Sequence, residues 1–110
     1  MAVTIEKIKP AYNVAIKPAT LTEVFGEAVL PYSGGRNGML LNLVSVDPVT
    51  VTIKAGNNMF SGGDLVIDLP GSESRYLKLD PAPYLQTEGP NKGNIVLYSD
   101  DARIGAVELD

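Results

Sequence analysis

Apolar and polar residues alternate with a period of two along most of the second half of the chain, the pattern of half-buried β-strands. In Val49-Thr50-Val51-Thr52-Ile53-Lys54, the residues Val49, Val51 and Ile53 point one way and Thr50, Thr52 and Lys54 the other. Arg75-Tyr76-Leu77-Lys78-Leu79-Asp80 repeats this with Leu77 and Leu79 inward. Asp64 to Leu69 sets Leu65, Ile67 and Leu69 against Asp64, Val66 and Asp68. Asn94 to Tyr98 and Ile104 to Leu109 read as two further strands. Met39 to Val46 is an almost continuous apolar run broken by Asn42 and Ser45. It predicts a central strand covered on both faces, or one whose outer face meets a partner. Near the N-terminus, Val3 and Ile5 alternate with Thr4 and Glu6, which predicts a strand within this domain or on a partner's edge.

Turn residues punctuate these runs. Ser33-Gly34-Gly35-Arg36-Asn37-Gly38 precedes one strand, and Asp47-Pro48 separates the next two. Gly56-Asn57-Asn58 and Ser61-Gly62-Gly63 bracket Met59-Phe60. Pro70-Gly71-Ser72, Glu88-Gly89-Pro90-Asn91-Lys92-Gly93 and Ser99-Asp100-Asp101 complete the series. Gly and Asn tolerate positive φ, and Pro ends pairing. The one helix candidate is Thr20 to Ala28, where Thr22 would cap a short turn. The stretch from Lys9 to Tyr32, which holds Pro10, Pro18 and Pro31, is the least regular, with strands expected near Tyr12–Ile16 and Glu27–Leu30. The expectation is a single all-β domain over 1–110: a β-sandwich, jelly-roll or Ig-like, of about eight short strands with little or no helix. Residues 1–10 would be an N-terminal arm or an edge strand.

Composition then removes most chemistry. The 110 residues contain no Cys and no His. Disulfides, thiolate sites and Ser-His-Asp or Cys-His catalysis are therefore impossible. The closest approach to Ser-x-x-Lys is Ser74-Arg75-Tyr76-Leu77-Lys78, one residue too long and lying in a strand. Asp64 and Asp68 share a strand face about 13 Å apart, too far for one site. Gly62-Gly63-Asp64 and Ser99-Asp100-Asp101 are fragments of a calcium loop and read first as plain turns. Gly34-Gly35-Arg36-Asn37-Gly38 leads into a strand and lacks Gly-Lys-Thr, so it is no P-loop. The expectation is a non-enzyme with no cofactor and no metal. Nine basic residues against 13 acidic ones leave a net charge of −4 without a basic run, which argues against nucleic acid. No stretch approaches the ~18 apolar residues of a membrane span. The N-terminal Met-Ala-Val-Thr-Ile-Glu-Lys lacks the apolar stretch of a secretory signal, so synthesis and folding are expected in the cytoplasm.

What remains is binding. Tyr76 and Tyr98 fall opposite the inward Leu and Ile positions and either cover a sheet or anchor an interface. Met59 and Phe60 are expected to fold back and plug one end of the domain, the alternative being to protrude towards a partner. Arg36, Asn37, Asn91 and Lys92 stand at glycine-rich loop tips, where β-scaffolds carry recognition.

The order of elements from Gly38 onward is an apolar strand, Asp47-Pro48, and Val49-Thr50-Val51-Thr52-Ile53-Lys54-Ala55-Gly56-Asn57. A leucine-rich strand, Gly89-Pro90-Asn91-Lys92-Gly93 and a closing Ile104-Gly105-Ala106-Val107-Glu108-Leu109 follow. Over residues 38 to 110 this resembles the head decoration proteins of tailed bacteriophages, small β-sandwich domains. The resemblance implies a structural virion protein on the capsid exterior, made in the host cytoplasm, that binds the major capsid protein and cements neighbouring subunits. It leaves trimer and monomer open. The alternative is a carbohydrate- or host-surface-binding module of a fibre or tail, with Tyr84 near Asp80 and Glu88 as its best cluster.

Overall fold

Eight strands build the protein: β1 (Val3–Thr4), β2 (Lys7–Ile8), β3 (Thr22–Pro31), β4 (Met39–Ser45), β5 (Val49–Ile53), β6 (Leu65–Leu69), β7 (Glu73–Leu79) and β8 (Asn94–Glu108). The computed structural model describes all of the chain except residues 1–2, 11–12, 16, 18–19, 33, 35–37 and 110. None of the described residues is helical. The expectation of an all-β domain holds. All eight strands join one mixed sheet, ordered β1-β3-β8-β4-β7, with β5 and β2 also paired to β8 and β6 paired to β5.

β8 is the spine. Along one edge it pairs with β3, from Pro31 opposite Asn94 to Thr22 opposite Ile104. Beyond that point β2 takes over, with Lys7 opposite Ala106. Along the other edge it pairs first with β5 (Ile53 opposite Leu97) and then with β4 (Val44 opposite Arg103). The exchange of β5 for β4 happens at Asp100-Asp101. There the register steps from Gly26 opposite Ser99 to Val24 opposite Ala102, so Phe25 alone faces two residues. Such a β-bulge bends its strand and raises the local twist. Gly26, at a φ of 106°, supplies the backbone freedom on the facing strand.

The bend is large. The Ile5 amide donates to the Val29 carbonyl at 2.9 Å, and the next amide, of Glu6, reaches the Thr22 hydroxyl at 3.5 Å. In a straight strand Thr22 and Val29 would be roughly 23 Å apart. The β3–β8 ribbon therefore folds back on itself. One half carries β5 and β6, the other β4 and β7. The N-terminal segment stitches the halves together, since β1 pairs with β3 (Val3 opposite Ala28) and β2 with β8.

One apolar cluster fills the fold. It takes Val24, Ala28 and Leu30 from β3, Met39, Leu41 and Leu43 from β4, Val51 and Ile53 from β5, and Ile95, Leu97 and Ile104 from β8. Ile5, between β1 and β2, is buried in the same cluster. Residues 3–8 are thus an integral part of the domain, closing it through two short strands. Beside them the Glu108 carboxylate, fully buried, takes an ion pair from Lys7 at 3.3 Å and another from Lys9 at 3.7 Å.

Three sequence expectations change. The helix over Thr20–Ala28 is instead the first part of β3, because pairing along β8 outweighs the weak intrinsic preference of so short a segment. The strand expected at Glu27–Leu30 lies inside that element. The turn at Ser99-Asp100-Asp101 is a bulge within one 15-residue strand, so the segments read as two strands are one. Of the strand expected at Tyr12–Ile16, Asn13 has a left-handed φ of 60° and Val14 and Ala15 are unpaired; Tyr12 and Ile16 lie outside the described residues.

Candidate functional site

At one end of the molecule, the loop between β5 and β6 is tied to the loop between β7 and β8 by two adjacent asparagines. Asn57 accepts from the Thr87 amide (2.7 Å) and hydroxyl (3.1 Å) through Oδ1, and donates to the Glu88 carbonyl (3.2 Å). Asn58 donates through Nδ2 to the carbonyls of Ala82 (3.0 Å) and Leu85 (2.9 Å), while its Oδ1 accepts from the Phe60 amide at 2.8 Å. The Ser61 hydroxyl accepts from the Asn58 amide, and Gln86 Nε2 donates to the Ala55 carbonyl. The two loops approach so closely at Gly56 that a Cβ there would run into the Leu85 carbonyl oxygen. At the base, the Asp64 carboxylate accepts from the Ala55 amide at 2.7 Å.

This clamp displays Met59 and Phe60, which are 89% and 67% exposed. They do not plug the end of the domain as the sequence suggested. That place is already taken by Tyr32 and Tyr84, which pack against the core, and by Leu85, which bridges to Ile95. Phe60 instead stands at the rim of a groove of about 430 Å³, lined also by Tyr32, Asp80, Pro81, Leu85 and Thr87. Because hydrogen bonds already hold the backbone of this turn, a partner that covers the two side chains need only order their rotamers.

Asn58→Ala is expected to cost about 1–3 kcal/mol, because it strands the Phe60 amide and two carbonyls. Hydrogen exchange at the Phe60 amide should accelerate in that variant. Unchanged protection there would refute the clamp.

Asn91 and Lys92 lie in the turn beside this clamp. The Lys92 amide donates to the Gly89 carbonyl and the Tyr32 amide to the Gly93 carbonyl. Met59, Phe60, Asn91 and Lys92 thus gather at one end. Arg36 and Asn37 lie outside the described residues, although the neighbouring Tyr32 and Gly34 line the groove. Tyr84, expected as a sugar platform with Asp80 and Glu88, is turned against the core.

Tyr76 and Tyr98 project outward as expected, 71% and 49% exposed, but from different halves of the folded sheet. Tyr76 stands in register with Asn42 on β4. Tyr98 is flanked by Glu27 on β3 and Thr52 on β5, with Val66 of β6 next in the same row. Its hydroxyl donates to Asp100 at 3.4 Å. Phe25, 79% exposed opposite the bulge, is a surface residue that the helix expected over Thr20–Ala28 does not single out. No alternation of residue types marks it, since Val24 and Phe25 are adjacent apolar residues and Gly26 follows them.

The Tyr32 phenol is perturbed by its surroundings. Burial raises its phenol above the ordinary value of 10.0, and the carboxylates of Glu108 and Asp80 raise it further. The folded state therefore holds the proton more tightly than the unfolded chain. The associated stability is fully present below about pH 10 and is lost as pH rises through the raised value. Tyr32→Phe should make the alkaline fall in stability shallower, read by urea unfolding between about pH 9 and pH 11. An identical fall in both proteins would exclude Tyr32 as its source.

Among the described residues, no group of three or more His, Cys, Asp or Glu is placed to hold a metal ion. The chain matches no protein-family model, no curated protein and no solved structure.

Proposed function

We propose that this chain is a structural binding domain that sits on the outside of a tailed-phage capsid and cements neighbouring major capsid subunits. The carrying observation is the asparagine-clamped turn that holds Met59 and Phe60 in solvent. A cement must be rigid and must present apolar anchors at more than one place, since it touches two subunits at once. The clamped turn and the outward tyrosines on separate sheet halves provide such anchors. The order of strands and turns over residues 38 to 110, which resembles that of the head decoration proteins, supports a capsid as the surface.

The test is whether the protein co-purifies with phage particles and binds shells assembled without it. Absence from purified particles by mass spectrometry, together with no binding to such shells, would end this reading. The carbohydrate alternative has one observation of its own, an exposed Phe60 ring lining the same groove as Asp80. Glycan-array binding that disappears in Phe60→Ala would favour it instead.

A further inference from the structure

The outer face of the β3–β8–β5–β6 half combines two features. It exposes large apolar side chains: Phe25 (79%), Val66 (58%) and Tyr98 (49%). It also concentrates acid. Glu27, Asp68, Asp100 and Asp101 are exposed on these strands, Asp64 stands at the entrance to β6, and Lys54 is the only cation among the described residues at these positions. That surplus of four negative charges equals the net −4 of the whole chain. The opposite half differs. Its outward positions on β7 and β8 carry Lys78 and Arg103, with Glu23 of β3 in register with Arg103.

Register places the apolar residues among the acids. Tyr98 lies between Glu27 and Thr52, and Val66 follows Thr52 in the same row. Thr50 donates to Asp68 at 3.1 Å, and Tyr98 to Asp100 at 3.4 Å, which holds these carboxylates in place with acceptor capacity to spare. A self-contact between two such faces would set like charges against each other. Nucleic acid is repelled for the same reason.

We propose that this face docks a protein surface that presents lysine or arginine side chains around an apolar recess for Tyr98 and Phe25. In terms of the capsid reading, on which this rests, the recess lies on a major capsid subunit. The row spans four strands, about 14 Å, so one copy makes a contact smaller than a standard interface. Occupancy then depends on steering by charge and on many copies acting together.

The experiment is a binding titration of the full chain against capsid shells assembled without it, across salt concentration. Wild-type affinity should fall about tenfold or more between about 50 mM and about 500 mM NaCl. Glu27→Lys and Tyr98→Thr should each weaken binding by about tenfold at low salt without moving the thermal unfolding midpoint. Asp47→Lys changes net charge equally, but in the β4–β5 turn, and should bind like wild type. Equal losses in Glu27→Lys and Asp47→Lys would show a general charge effect and overturn the proposal. Wild-type binding that ignores all the face variants would overturn the proposal and leave the capsid reading standing. No wild-type binding would overturn both.

Discussion

Replacing Lys7 and Lys9 together by methionine is expected to destabilise the domain by about 3–5 kcal/mol, the usual cost of breaking a buried ion pair by removing its cationic side. Glu108 has no solvent-exposed surface, and Lys7 and Lys9 stand 3.3 and 3.7 Å from its two carboxylate oxygens. Lys7 is the more buried of the two lysines and should carry most of the effect, because Lys9 is half exposed and its attraction is screened. The loss would be a large part of the ~5–15 kcal/mol that holds a domain of this size together. It should appear as a lower urea midpoint. Replacing all three residues at once, with Leu at 108 and Met at 7 and 9, should recover most of the loss, since an apolar trio leaves no charge to solvate. A double-lysine variant that loses less than about 1 kcal/mol would show that Glu108 is satisfied by other groups. The same segment carries Ile5, buried in the core, so the arm closes the fold through packing as well as charge.

The second large effect concerns binding. Met59→Ser combined with Phe60→Ser should weaken attachment to capsid shells by about 30- to 1000-fold, the equivalent of roughly 2–4 kcal/mol for the loss of two interface anchors. Stability should hardly change, because these side chains are 89% and 67% exposed and bury little in the free protein. Co-sedimentation with shells and a parallel urea titration separate the two quantities. Retained binding in the double variant would remove the turn from the interface.

The strands with clean alternation were readable from residues alone. Val49 to Ile53, Leu65 to Leu69 and Leu77 to Leu79 point where their pattern says, since a half-buried strand has only two faces and apolar side chains choose the dry one. Thr22 to Pro31 was not readable. Glycine at 26 and proline at 31 interrupt its alternation, and its stability as a strand comes from β8, some 70 residues away in the chain. Asp100-Asp101 was misleading for a related reason. Two adjacent acids look like a turn locally, yet a bulge needs the same exposed, unpaired residues inside a strand. Of the residues singled out for contact, Tyr76 and Tyr98 were legible as outward-facing by parity. Met59 and Phe60 were found by their position between turns, but their direction depended on whether the neighbouring space was free.

By itself, then, the sequence determined an all-β chain, most of its strands, the inward faces of those strands, and the lack of Cys and His chemistry. Those properties follow from residue type and from spacing along a few neighbours. Only the tertiary structure decided that β3 and β8 form one folded ribbon, that Lys7 and Lys9 meet Glu108, and that Tyr32 and Tyr84 displace Met59 and Phe60 into solvent. Each of these depends on which distant segments share a space, and side-chain alternation carries no information about that.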